Sequence, residues 1–257
     1  MRRTYASRWD NLGRQNAFGA ILTVDGELTA WDPAQFFATG AADAQSFVER
    51  LTSIHPASPR TRALDFGCGV GRVTRGLAEY FDEVVGVDVA PSMIERARTL
   101  NVNARCSFLV NNARTLDQFP DASFTVVYSR LVLQHVRPSL VRRYIPELIR
   151  VLAPGGALMF QLPDIVRPVP PPGHRLTLRD RVKRYLPWPL VVTWRRIKCR
   201  LASTDRAAQM TMYGMAPEEV LGLIRLARGR VLDILGDTSH GADVDGFEYW
   251  VTKDEQS

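Results

Sequence analysis

The chain alternates short apolar runs with longer stretches whose apolar positions recur every three or four residues. That mixture predicts strands alternating with amphipathic helices, an α/β arrangement. Residues 63–66, 83–88 and 106–110 are short apolar strands, and 230–235 and 247–252 have the same character, joined through Gly236, Gly241 and Gly246. A helix following 63–66 runs to about Tyr80, an amphipathic helix covers 138–152 and stops at Ala153-Pro154-Gly155-Gly156, and another covers 217–228. Residues 1–60 read as helices and turns carrying Trp9, Phe18, Trp31, Phe36, Phe37 and Phe47. Within them Trp31-Asp32-Pro33 sets a capping residue and a first-turn proline ahead of a helical run, and 54–60, with Pro56 and Pro59, is a linker into the core.

The informative stretch is Asp65-Phe66-Gly67-Cys68-Gly69-Val70-Gly71-Arg72, an acid at the end of the first strand followed by glycines at alternate positions. Glycines so spaced let the chain reverse through backbone angles closed to other residues and let a ligand lie against bare main chain. Such turns cradle nucleotides at the switch point of doubly wound sheets. A dinucleotide fingerprint requires G-x-G-x-x-G, and Arg72 stands where its third glycine would fall, so a pyrophosphate ligand is disfavoured. Cys68 reads as a small packing residue inside the loop. Asp88 ends the second strand 21 residues after Gly67, the place from which a carboxylate accepts hydrogen bonds from both hydroxyls of a ribose.

The loop resembles the first motif of the class I S-adenosylmethionine (SAM) methyltransferases, D-x-G-x-G-x-G, through Asp65, Gly67, Gly69 and Gly71. Asp88 matches that family's second motif, and Val89-Ala90-Pro91-Ser92 opens the next helix as family members do. Asn111-Asn112-Ala113 follows the third strand where the family often has Asp-Ala to hold the adenine amino group, and the carbonyl of Asn112 can still accept from that amine. The segment 120–129 resembles the fourth strand, with Thr125 in place of the usual acid, and 150–160 resembles the passage from helix to fifth strand. Together these landmarks cover about residues 60–162.

The resemblance implies a Rossmann-like, doubly wound seven-stranded sheet with its last strand antiparallel, an N-terminal helical leader over 1–60, and a SAM-binding domain over 61–257 with a lid insert at about 163–212. It implies SAM as cofactor, S-adenosylhomocysteine (SAH) as product, and a cofactor site built from Asp65, Gly67, Cys68, Gly69, Gly71, Asp88, Val89, Asn111, Asn112, Ala113 and Ser129. The leader is placed to close over the cofactor, its aromatics either packing on the domain or touching ligand.

Charge changes the picture in one region. The net charge is +6, but 166–205 alone carries +8 and the remainder −2. Inside this insert 186–194, with Trp188 and Trp194, is an apolar run between clusters of Arg and Lys. Nine residues are too few to span a bilayer. Such a run suits a pocket lid, and it also suits peripheral contact of 178–200 with an anionic membrane. A third use, neutralising phosphates of RNA, lacks a visible RNA-binding module, and no specific nucleic acid is expected. The first residues lack a signal-peptide core, and the three widely spaced cysteines (Cys68, Cys106, Cys199) offer neither a disulfide framework nor a zinc site. The expectation is a cytoplasmic protein, membrane-associated if the insert binds lipid, and without a metal.

His135 lies a few residues beyond the fourth strand, on the side from which acceptors approach in the family. A histidine's ordinary pKa of about 6.5 suits proton removal at neutral pH, which points to a hydroxyl acceptor on a small molecule or glycan. His240 is a weaker second candidate, and Tyr213 either faces the pocket or packs. The place where amine-methylating relatives carry Asn-Pro-Pro-Tyr reads Ser129-Arg130-Leu131-Val132. The readings that compete are an RNA-acting methyltransferase and a SAM-binding regulator without catalysis.

Overall fold

The computed structural model describes residues 5–22, 30–166, 212–237 and 244–254. The basic insert and His240 lie outside the described residues.

Two helices, α1 (Tyr5–Ile21) and α2 (Pro33–Ile54), precede β1 (Arg62–Phe66). Then follow α3 (Arg72–Leu77), β2 (Glu83–Asp88), α4 (Pro91–Leu100), β3 (Cys106–Val110), β4 (Phe124–Ser129), a 3-10 turn (Leu133–His135), α5 (Pro138–Val151), β5 (Leu152–Val166), α6 (Pro217–Leu226), β6 (Gly229–Asp237) and β7 (Val244–Lys253). The strands form one sheet in the order β3-β2-β1-β4-β5-β7-β6. β3, β2, β1, β4 and β5 pair in parallel in that order, and β7 runs antiparallel to both β5 and β6. The chain leaves β1 toward β2 on one side and returns to β4 on the other, so a crevice opens beyond the carboxyl ends of β1 and β4.

The leader is built into the core. Asp32 caps α2, its carboxylate accepting the Gln35 amide at 3.0 Å, and Pro33 stands at the first turn. Gly40 and Gly76 let α2 cross α3 closely: a Cβ on Gly40 would stand 2.1 Å from the Arg72 carbonyl oxygen, and one on Gly76 would stand 2.8 Å from Ala44 Cβ. α2 thereby delivers Phe47, Val48 and Leu51 to a cluster with Tyr128, Met159 and Trp250 on one face of the sheet. The opposite face packs on α5 and α6 through Val141, Ile145, Leu148, Val220 and Ile224. α4 covers the β3 edge through Ile94, Ala97 and Phe108, with Cys68 of the loop in the same cluster.

Two details differ from the sequence pattern for physical reasons. The Pro154-Gly155-Gly156 turn lies within β5, not simply between helix and strand: Leu152 pairs with Phe124, and pairing resumes at Ala157 with Val126. Gly155 takes φ +70, and a Cβ on Gly156 would stand 2.6 Å from the Thr125 carbonyl oxygen. Thr125 uses its hydroxyl on the main chain of Arg62, accepting from its amide at 3.1 Å and donating to its carbonyl at 3.0 Å, so the missing acid is replaced by a local tie between β4 and β1.

Candidate functional site

The glycine loop leaves β1 and turns back on β2. The amides of Gly67 and Cys68 both donate to the Val87 carbonyl, at 2.8 and 3.0 Å, and Gly71 donates to the Cys68 carbonyl at 2.9 Å. Gly67, Gly69 and Gly71 take φ of +83, +55 and +82, the left-handed region that side chains resist. Cys68 is buried and its thiol is pushed well up, first by burial and then by the charges of Asp65 and Asp88, which suits an inert packing role.

The two loop acids have different surroundings. Asp65 is buried and accepts from Thr74 Oγ1 at 2.6 Å. Burial pushes its carboxyl up to about 6, against the opposing pull of the Thr74 hydrogen bond and the Arg72 charge. Asp65 therefore clamps β1 to α3. Asp88 is half-buried and accepts from the Gly69 amide at 3.0 Å and the Ala90 amide at 2.8 Å. Burial raises its pKa, while bonds from the Ala90, Gly69 and Val89 amides oppose the rise. A carboxylate has about four lone-pair sites, and the Ala90, Gly69 and Val89 amides already draw on them.

The tip of β3 joins this group, the Asn111 amide donating to the Asp88 carbonyl at 2.8 Å. Asn111 is buried and turns its side-chain amide to the Thr115 carbonyl at 3.2 Å. Asn112 and Ala113 are exposed beside it, and Tyr144 Oη holds the Ala113 carbonyl at 2.8 Å. Val89 is half-buried after Asp88. Ser129 is wholly buried at the end of β4, paired with Phe160, and its Oγ has no hydrogen-bond partner among the described residues. The expected cofactor residues thus converge at the carboxyl edge of β1 to β4, with Asp65, Cys68, Asn111 and Ser129 turned into the fold.

Beyond β4 the chain is steered by charge and one left-handed residue. Arg130 Nη1 meets Asp43 at 2.9 Å, and Asp43 also receives Arg72 at 2.6 Å, so the β4 tip, α2 and α3 share one carboxylate. Leu131 takes φ +61, and its amide donates to Gln161 Oε1 at 3.0 Å. The turn sets Val132 on Gly67 and leads into the 3-10 turn that carries His135. His135 is half-buried, its Nε2 3.0 Å from Gln134 Nε2 and its ring edge-to-face with Trp9 at 5.4 Å. With the ring proton on Nδ1, the Gln134 amide donates to the Nε2 lone pair. The Tyr213 amide donates to the Gln134 carbonyl at 2.7 Å, so Tyr213 stands beside this turn.

The leader is expected to close over the cofactor, but the particular residues α1 brings were not singled out from the sequence. Tyr5 packs near Asp88 and Tyr144, its phenol pushed up first by burial and then by the Asp88 charge. Asp10 accepts the Ser92 amide at 2.8 Å, and Ser92 Oγ donates to the Asp10 carbonyl at 2.7 Å. Ile21 and Val132 lie against the glycines: a Cβ on Gly69 would be 2.6 Å from Ile21 Cδ1, and one on Gly67 would be 2.3 Å from Val132 Cγ2. The Tyr5, Trp9 spacing of one helical turn was the available signal; nothing in the sequence marked Ile21.

The left-handed glycine loop and the Asp88 carboxylate stand together at the carboxyl edge of β1 and β2, the Gly69 amide donating to Asp88. Fold, loop and acid together define a class I SAM-dependent methyltransferase domain, a class whose cofactor is SAM. Residues 64–160 match the family model described as Methyltransferase domain, and this chain carries that domain. A malonyl-[acyl-carrier protein] O-methyltransferase of Herminiimonas arsenicoxydans is 37% identical over 120 residues, 45% of this chain and 42% of that protein. A trans-aconitate 2-methyltransferase of Methylobacterium radiotolerans is 33% identical over 151 residues, 58% of this chain and 54% of that protein. The chain thus spans about half the length of these relatives. The magnesium protoporphyrin IX methyltransferase of Synechocystis with bound SAH shares the fold at TM-score 0.62 and 14% identity, over 97% of this chain and 100% of that one. No helix among the described residues is long and apolar enough to cross a membrane.

Proposed function

We propose that the chain transfers a methyl group from SAM to the hydroxyl oxygen of a small-molecule or glycan acceptor, with His135 receiving the acceptor's proton. The observation that carries the reading is His135 Nε2 standing beyond β4, on the same sheet edge as the glycine cradle. Gly69 offers main chain to the methionine portion, Gly67 shapes the turn beneath Val132, Asp88 binds the ribose hydroxyls, and Asn112 and Ala113 meet the adenine, with Val89 beside them. Asp65, Cys68, Gly71, Asn111 and Ser129 keep the loop and strand tips in place. Bound, the cofactor supplies a methyl group on a cationic sulfur that departs as a neutral thioether. As the new oxygen–carbon bond forms, the hydroxyl proton passes to His135 Nε2, displacing the Gln134 amide from that lone pair. Holding acceptor and donor in line accounts for most of the acceleration, since orientation is worth about 7–11 kcal/mol. A relative named as an O-methyltransferase agrees with an oxygen acceptor.

Asp88→Ala removes charge-assisted hydrogen bonds worth about 1.5–3 kcal/mol, so calorimetry should show SAM affinity falling by roughly 10- to 100-fold. Unchanged affinity would overturn the assignment of Asp88. A labelled-SAM transfer screen across phenols, glycans and lipid-linked sugars tests the acceptor class, and transfer to amines alone would reject it.

The basic insert suits a pocket lid, and its apolar run 186–194 between cationic clusters gives contact with an anionic membrane as the alternative, each nearby cation then gaining about 1 kcal/mol. On that alternative, anionic vesicles at low salt should sediment more protein than neutral ones, with the difference shrinking as salt rises. Equal sedimentation would leave the insert as a pocket lid.

A further inference from the structure

We propose that the last turn of α1 is a gate on the cofactor cradle, with Ile21 as its wedge, so that SAM enters only when this turn lifts from Gly69. The inference rests on the cofactor reading above and adds its regulation. α1 is two pieces: at Asn16 the backbone leaves the helix (φ −152, ψ 82), and Asn16 Oδ1 accepts the Gly19 amide at 3.0 Å, capping a fresh turn. The piece before the break is clamped to α4. Asp10 holds Ser92 through both hydrogen bonds described above, and the backbones approach so closely that a Cβ on Gly13 would stand 2.4 Å from Ser92 Oγ.

The piece after the break faces the loop. Ile21 Cδ1 stands in the space a Gly69 Cβ would take, which is the space a ligand needs to reach bare main chain. A ligand and Ile21 cannot both occupy it. Among the described residues the turn is held by apolar stacking and one side-chain hydrogen bond: Phe18 stacks on Phe36 at 4.4 Å, and Trp31 Nε1 donates to the Leu22 carbonyl at 2.9 Å. The first piece has two hydrogen bonds from Ser92 to Asp10 in its place. With a fixed first piece, a break and a lightly held second piece, displacement is confined to the turn carrying Ile21. Trp31 is bonded to that turn and Trp9 lies on the fixed piece, so tryptophan emission reports the movement.

The test is stopped-flow tryptophan fluorescence of the full chain with SAH as the probe, beside calorimetry on the same samples. The observed rate for the unaltered protein should level off with SAH concentration at a ceiling set by opening, as expected when the competent state must form first. Ile21→Ala should raise the ceiling by about tenfold and tighten SAH binding several-fold, because the closed state loses the wedge's buried area. Ile21→Val, trimmed by one methyl, should fall between. SAH binding with no ceiling, or with the same ceiling and affinity in all three proteins, would overturn the gate alone. Weaker binding in Ile21→Ala would also overturn it, making Ile21 a ligand contact. No SAH binding in any of the three would overturn the cofactor reading and the gate with it.

Discussion

Turnover of His135→Ala should fall by about 10²–10⁴-fold, the span that removal of a general base from the transition state produces, while SAM affinity stays near its original value. The separation follows from geometry. His135 sits on the 3-10 turn beyond β4, whereas the expected cofactor contacts come from the glycine loop and the tips of β2 and β3. Labelled-methyl transfer to the best acceptor from the screen, followed across pH, is the measurement. A loss below about fivefold at every pH, against that range, would return His135 to a structural role beside Trp9 and Gln134.

Gly69→Val should abolish cofactor binding, with SAM affinity lowered by more than about 100-fold. Two effects add. Gly69 holds φ +55, a conformation that a β-branched residue adopts only with strain, and the new side chain fills the approach to bare main chain. It also strikes Ile21, whose Cδ1 lies 2.6 Å from the new Cβ. Calorimetry with SAM, and thermal melting to show that the sheet still folds, decide it. SAM affinity within about threefold of the original in a folded variant, far short of the loss one blocked contact brings, would remove the loop from the cofactor site. NADH titration is the companion control, and saturable NADH binding without SAM binding would restore a dinucleotide reading.

Much of the cradle was legible because it depends on local constraints. A turn with three left-handed residues admits little besides glycine, and an acid closing an apolar strand marks its end whatever surrounds it. Arg72 was legible only in part. Its bulk argued against a dinucleotide loop, but its destination, a buried bond to Asp43 at 2.6 Å and a second to Thr39 at 3.0 Å, required α2 to be in place. Asp65 belongs to the motif, yet its partner Thr74 and the burial that pushes its carboxyl up to about 6 depend on how α3 seats on β1. Thr125, a departure from the family pattern, makes sense only beside the Arg62 main chain.

By itself the sequence determined the strand and helix order, the seven-stranded α/β class, the glycine loop with Asp88 and the place of His135 after β4. The elements and the glycine turn follow from periodicity or from a backbone conformation that only certain residues tolerate over a few positions, and the seven-stranded class and the place of His135 follow from the family resemblance those motifs carry. Tertiary structure alone decided that α2 is part of the core, that Trp9 stands against His135, and that Ile21 and Val132 rest on the bare glycines. Those contacts, from Ile21 on Gly69 to Phe47 on Trp250, join residues 48 to 203 positions apart. Their geometry depends on how α1 seats on α4, how α2 crosses α3 and how the chain turns at Leu131, and no local pattern encodes the sum of those packings.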